Sequence, residues 1–146
     1  MTRLYLAYGS NMDEGQMAER CPDARLVGKS VIEDYRLLFK GSETGIYATI
    51  EPEAGKQVPV LVWDISEWDE KNLDEYERYP ELYYKKQICV SLDGSSKEAM
   101  AYIMDESLKF GLPSEVYYDV LERAYQTFGF PMEILKEAHE SSKNKM

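Results

Sequence analysis

Leu4-Tyr5-Leu6-Ala7-Tyr8-Gly9-Ser10-Asn11 opens the chain with an apolar run that breaks into a Gly-Ser-Asn turn. The run reads as a buried strand over residues 4–8, and the turn is what ends it. Such a turn presents backbone N–H groups, and Asn11 is a suitable N-cap for a short helix over residues 12–20, with Asp13 and Glu14 in its first turn. Cys21-Pro22 stops that helix. The second informative stretch is Leu73-Asp74-Glu75-Tyr76-Glu77, which runs out into Arg78-Tyr79-Pro80. Glu77 lies at the edge of an apolar arc of roughly 140° formed by Trp68, Asn72, Leu73 and Tyr76. A strand feeding a turn, with one carboxylate beside an apolar face, outlines a proton-transfer site.

Between and beyond these points the order is strands, then helices. Residues 24–38 hold two strand-like stretches, Gly41–Gly45 is a loop, residues 46–50 a strand, and Glu53–Lys56 a turn signal. Residues 58–65 are rich in β-branched side chains. Ser66 caps the next helix, with Asp69 as a capping-box acceptor. Residues 83–92 and 99–104 form a strand pair joined by Asp93-Gly94-Ser95-Ser96. Val116, Val120, Ala124 and Phe128 mark a helix that Gly129 stops, and Pro131 opens a last one through Ile134, Leu135 and Ala138. Regular βαβ alternation is missing. The expected fold is α+β: a small, mostly antiparallel or mixed sheet, curled toward a barrel, with helices around it. One domain over residues 1–140 and a frayed tail over 141–146 complete the expectation.

The 146 residues carry 27 acids against 17 bases, a net charge of −10. An anionic chain without a basic cluster is ill suited to nucleic acid or acidic membranes, so neither is expected as a partner. Cys21 and Cys89 stand far apart without a CxxC pairing, which argues against a disulfide framework or zinc site and fits a cytoplasmic protein. Twelve tyrosines are many for this length, and a buried phenol needs a partner, so some should line a site. Trp63, Trp68 and Met100 are expected in the core. Cys21 with His139 could suggest a thiol hydrolase, but His139 falls on a terminal helix expected to be exposed.

These residues resemble the γ-glutamyl cyclotransferase-like (AIG2-like) family. Tyr8-Gly9-Ser10-Asn11 matches its YGSN motif, Gly45–Ile50 its G-x-x-A-T-I strand, and Val60-Leu61-Val62-Trp63 its V-x-V-W strand. Leu73-Asp74-x-Tyr76-Glu77 matches the stretch that carries the family's catalytic glutamate. Tyr84 and Pro113-Ser114-x-x-Tyr117 fall where it places two site tyrosines. Six elements in register make the match specific, although YGSN alone is weak. The resemblance implies release of 5-oxoproline from a γ-glutamyl amino acid or amine, with Glu77 as general base and acid. It places substrate contacts at Ala7, Tyr8, Gly9, Ser10, Asn11, Tyr84 and Tyr117, with Tyr83 and Tyr118 as rivals for the two tyrosine roles. It calls for no metal and no cofactor, and is compatible with a monomer or homodimer. The alternative is a γ-glutamyl binding module without turnover; a third reading is an interaction protein with no small-molecule site. The family commonly has Gly after the glutamate, where this chain has Arg78. Arg78 is expected to point to solvent, since pairing with Glu77 would depress the base's pKa.

Overall fold

A computed structural model describes residues 2–146. The strands are β1 (Thr2–Ala7), β2 (Arg25–Ser42), β3 (Gly45–Ser66), β4 (Tyr83–Leu92), β5 (Ser95–Met104) and the short β6 (Lys109–Phe110). The helices are α1 (Glu14–Arg20), α2 (Glu67–Tyr76), α3 (Glu115–Phe128) and α4 (Met132–Asn144). The strands form one mixed sheet in the order β4-β5-β1-β3-β2-β6, in which only the β1–β5 neighbours run parallel. The sheet curls into a half-barrel: Ser30 on β2 donates from its hydroxyl to the Ser91 carbonyl on β4, although three strands separate them in the sheet. The α+β expectation therefore holds. No helix among the described residues is long and apolar enough to cross a membrane.

β2 and β3 are each one long strand, where the sequence suggested two segments apiece. The breaker residues within them bend the ribbon instead of ending it. Register shifts fall between Leu26 and Gly28 and between Glu33 and Tyr35. At the second shift Asp34 takes φ +61°, and its carboxylate accepts the Gly55 N–H at 3.0 Å. Glu53–Lys56 is thus the wide side of a bulged corner that tightens the curl. The β4–β5 hairpin turns on Asp93-Gly94, both with positive φ, the type I′ pair whose twist matches the flanking strands.

Three local expectations shift by a residue or more. The N-cap of α1 is Asp13, whose side chain accepts from Gln16 N, while Asn11 belongs to a preceding 3₁₀ turn, Ser10–Met12. The capping box on α2 forms as expected, with Ser66 and Asp69 bonding each other's backbone N–H. That cap pulls Asp69 inward, so the helix buries Asp69 and Leu73 and leaves Trp68 61% exposed, not in the core. On α3 the i+4 row drifts around the helix, and the buried face is Val120, Leu121, Ala124 and Tyr125, with Val116 in solvent.

α4 packs on β2 and runs to Asn144, past the point where fraying was expected. The cause is Ser142, fully buried, whose hydroxyl accepts the Phe39 N–H of β2 at 3.0 Å. Ser142→Ala is expected to lower unfolding free energy by about 1–3 kcal/mol, because a buried backbone N–H would lose its partner. Denaturant titration checks this, and an unchanged midpoint would show that the end of α4 anchors nothing.

Candidate active site

β1 is central in the sheet and stops at Ala7, where the Gly9-Ser10-Asn11 turn leaves the strand end. Ser10 and Asn11 are buried at 7% and 2% exposure, and the turn closes through Met12 N–H to the Gly9 carbonyl at 3.0 Å. Its side chains are tied down in turn. The Ser10 hydroxyl lies 2.9 Å from the Tyr76 hydroxyl, Asn11 donates to the Tyr5 hydroxyl at 3.0 Å, and Arg20 donates to Asn11 Oδ1 at 2.6 Å. The Arg20 guanidinium also stacks 3.6 Å over the Tyr76 ring. One arginine thus braces both the turn and the end of α2.

Beyond the turn is a cavity of about 140 Å³ walled mainly by tyrosines, with Glu77 among its lining residues. Glu77 is the C-cap of α2, held by its N–H to the Leu73 carbonyl at 2.8 Å. The residue as a whole is half-buried and lines the cavity. Desolvation raises its pKa from 4.5 to about 7, with Arg20 pulling modestly the other way. Burial holds the surrounding phenols of Tyr5, Tyr8, Tyr83 and Tyr117 well above the usual tyrosine range, and the Glu77 charge adds to it. They are therefore neutral hydrogen-bonding groups at any working pH.

The phenols are fixed by backbone partners. Tyr8 donates to the Tyr102 carbonyl, and Tyr83 donates to the Ala48 carbonyl at 2.8 Å. The Ala48 N–H donates to the Tyr117 hydroxyl at 3.1 Å, which occupies an acceptor site there and leaves the phenolic proton for another partner. A Cβ at Gly9 would meet that hydroxyl at 3.0 Å, so glycine is what lets Tyr117 close on the turn. Behind α2, the Tyr102 hydroxyl donates to Asp74 at 2.6 Å and Lys85 pairs with both Asp74 and Glu70. These bonds anchor the helix one turn before Glu77.

Of the residues singled out in the sequence, Tyr8, Gly9, Ser10, Asn11, Glu77 and Tyr117 meet at this cavity. Ala7 and Tyr84 do not. Ala7 is packed in the core, 1% exposed, off the cavity wall. Tyr84 is 37% exposed and shares its strand face with Ile88, Val90 and Leu92, whereas Tyr83 lies on the face of Lys85, which is turned toward α2. Of the two rivals it is therefore Tyr83, not Tyr84, that lines the cavity. Tyr118 packs against Phe39 and His139 instead of the cavity. Tyr5, Tyr47 and Tyr102 line the site without having been singled out, and the tyrosine count was the one signal that pointed to them. Cys21 is no nucleophile: it is buried, and burial pushes its thiol up to about 12.

Residues 5–123 match the family model described as gamma-glutamyl cyclotransferase, AIG2-like. The chain belongs to this family. It is 30% identical to the gamma-glutamylcyclotransferase of Bos taurus over 97% of its own length and 79% of that protein's. The corresponding figures for the Homo sapiens gamma-glutamylcyclotransferase are 28%, 89% and 73%. A solved gamma-glutamyl cyclotransferase structure superposes with a TM-score of 0.83 at 25% identity, covering all of this chain and 89% of the other. Family membership also frames Arg78. It adopts φ +56°, the backbone conformation that favours glycine, forms no ion pair with Glu77 among the described residues, and reaches the Thr44 hydroxyl at 3.4 Å.

Proposed function

We propose that the protein is a γ-glutamyl cyclotransferase that releases 5-oxoproline and a free amine from a γ-glutamyl amino acid or amine. The observation that carries this reading is Glu77, a single carboxylate in a tyrosine-lined cavity with its pKa raised to about 7. The reaction is intramolecular, so no protein nucleophile is needed. Glu77 removes a proton from the substrate α-ammonium, and the freed amine attacks the side-chain carbonyl carbon. Glu77 then returns that proton to the leaving nitrogen, the C–N bond breaks, and the second proton on the ring nitrogen passes to the released amine, so that a neutral five-membered lactam and an ammonium depart. A carboxylate poised near neutrality serves both steps, because neither proton transfer is then strongly uphill.

The rest of the wall folds the substrate into the attacking shape, which supplies several kcal/mol of the barrier reduction. The Gly9–Asn11 turn takes the α-carboxylate or the developing oxyanion on backbone N–H groups, since the leading N–H groups of such a turn have no partner within it. Tyr117, with its remaining phenolic proton, and Tyr83 orient the glutamyl chain. The catalytic unit in this reading is one domain, monomeric or homodimeric, acting in the cytoplasm on a small molecule without nucleic acid, membrane or cofactor.

The test is incubation of the purified protein with a panel of γ-glutamyl dipeptides and γ-glutamyl amines, following 5-oxoproline by mass spectrometry. At least one member is expected to be turned over in proportion to enzyme. A panel with no product, but with measurable binding, would make the cavity a γ-glutamyl receptor instead.

A further inference from the structure

Arg78 is a charged group on the cavity wall that the proton transfer does not use. The lining has two charged side chains, Glu77 inside and Arg78 next to it in the chain. Among the described residues no carboxylate lies within ion-pair distance of Arg78; its side chain makes a long hydrogen bond to Thr44 at the tip of the β2–β3 hairpin. Arg78 is exposed, as are Glu81 three residues on and Glu43 beside its partner Thr44. The guanidinium is therefore solvated, pinned at its backbone by the helix exit, and available to an anion at the cavity mouth.

Substrate geometry brings an anion there. With the α-amine at Glu77 and the glutamyl carbons among Tyr8, Tyr83 and Tyr117, the interior is filled by the half of the substrate that cyclises. The leaving amine, joined at the far carbonyl, extends toward the opening. We propose that Arg78 is a specificity-determining residue that favours leaving amines carrying a carboxylate, as in γ-glutamyl α-amino acids, over neutral or cationic γ-glutamyl amines. The inference rests on the cyclotransferase reading. Its physical basis is the planar guanidinium fork, which pairs with a carboxylate through two N–H donors and gives a cationic leaving group nothing to bond.

A matched pair of substrates isolates the effect. γ-Glutamyl-alanine and γ-glutamyl-ethylamide differ in the leaving amine by the carboxylate alone. Arg78→Gly is the suitable variant because glycine accepts φ +56° without strain. The wild type is expected to prefer the alanine compound, with the preference shrinking as salt is raised. Arg78→Gly should lower kcat/KM for γ-glutamyl-alanine by about tenfold more than for the ethylamide, mainly through KM, and Arg78→Lys should restore part of the gap. Equal losses on both substrates would overturn the proposal, placing Arg78 on the glutamyl group's own α-carboxylate. Equal wild-type turnover of both, or a preference that survives in Arg78→Gly, would also overturn it. Wild-type enzyme that forms no 5-oxoproline from either compound removes the cyclotransferase reading itself, a result distinct from turnover without preference.

Discussion

Glu77→Gln is expected to lower kcat/KM by at least about 100-fold while leaving substrate affinity largely in place, since general acid–base catalysis contributes on the order of 10²–10⁴. The substitution keeps the shape of the side chain and removes its capacity to carry a proton. In the proposed reading, binding rests on the Gly9–Asn11 turn and on phenols held by backbone partners, none of which needs the charge. In the same reading this residue sets the pH dependence of the wild type. Its working form is the carboxylate, so kcat/KM should fall as pH drops through about 7, with the acid limb reporting the raised pKa. Any residual turnover in Glu77→Gln should lack that limb. Steady-state kinetics from pH 5 to 9, with isothermal titration for affinity, checks both parts. Residual activity above a tenth of wild type would move proton transfer to another group.

The same substitution should stabilise the fold, and by an amount that depends on pH. Burial raises the Glu77 pKa in the folded state from 4.5 to about 7, so between those values the native protein binds more protons than the unfolded chain. Stability therefore falls as pH rises through this window, and the loss is complete above about 7. At 1.36 kcal/mol per unit, the carboxylate destabilises the folded state by roughly 3 kcal/mol at pH 8 and by almost nothing below pH 4.5. Glutamine carries no such cost. Urea unfolding of both proteins at pH 8 and at pH 4.5 measures the difference, in which the other acids cancel. Equal stability at pH 8 would mean that the site is well hydrated and that its base is an ordinary glutamate.

How far the site could be read in the sequence depends on which residues are placed by the chain itself. Gly9-Ser10-Asn11 and Glu77 sit at the ends of elements that start and stop for local reasons, a strand break and a capped helix, and both were legible. The choice between Tyr83 and Tyr84 was not, because the facing of β4 is decided by tertiary packing. Ile88, Val90 and Leu92 are the buried apolar residues along most of β4, and counting back by twos puts Tyr84 on their side. At the start of the strand the opposite face is covered too, however, since α2 lies over Tyr83 and Lys85. Trp68 misled for a related reason: an apolar residue in the first turn of α2 gave way to Asp69, whose side chain the capping box requires inside. In the fold, Glu53–Lys56 looked like a turn and is a bend within a continuous strand, a distinction that rests on pairing between distant residues.

The bond between Ser10 and Tyr76 spans 66 residues, and the one between Ala48 and Tyr117 spans 69. No hairpin or helix pair contains both sides of the site, so it has no precursor in any early, locally formed fragment of the chain. Contacts of such long sequence separation are the slow ones in folding, because the loop entropy must be lost before they form. Catalytic competence thus arrives with the final docking of α2 and α3 against the curled sheet, and a chain nicked or stalled short of that point would be structured yet silent.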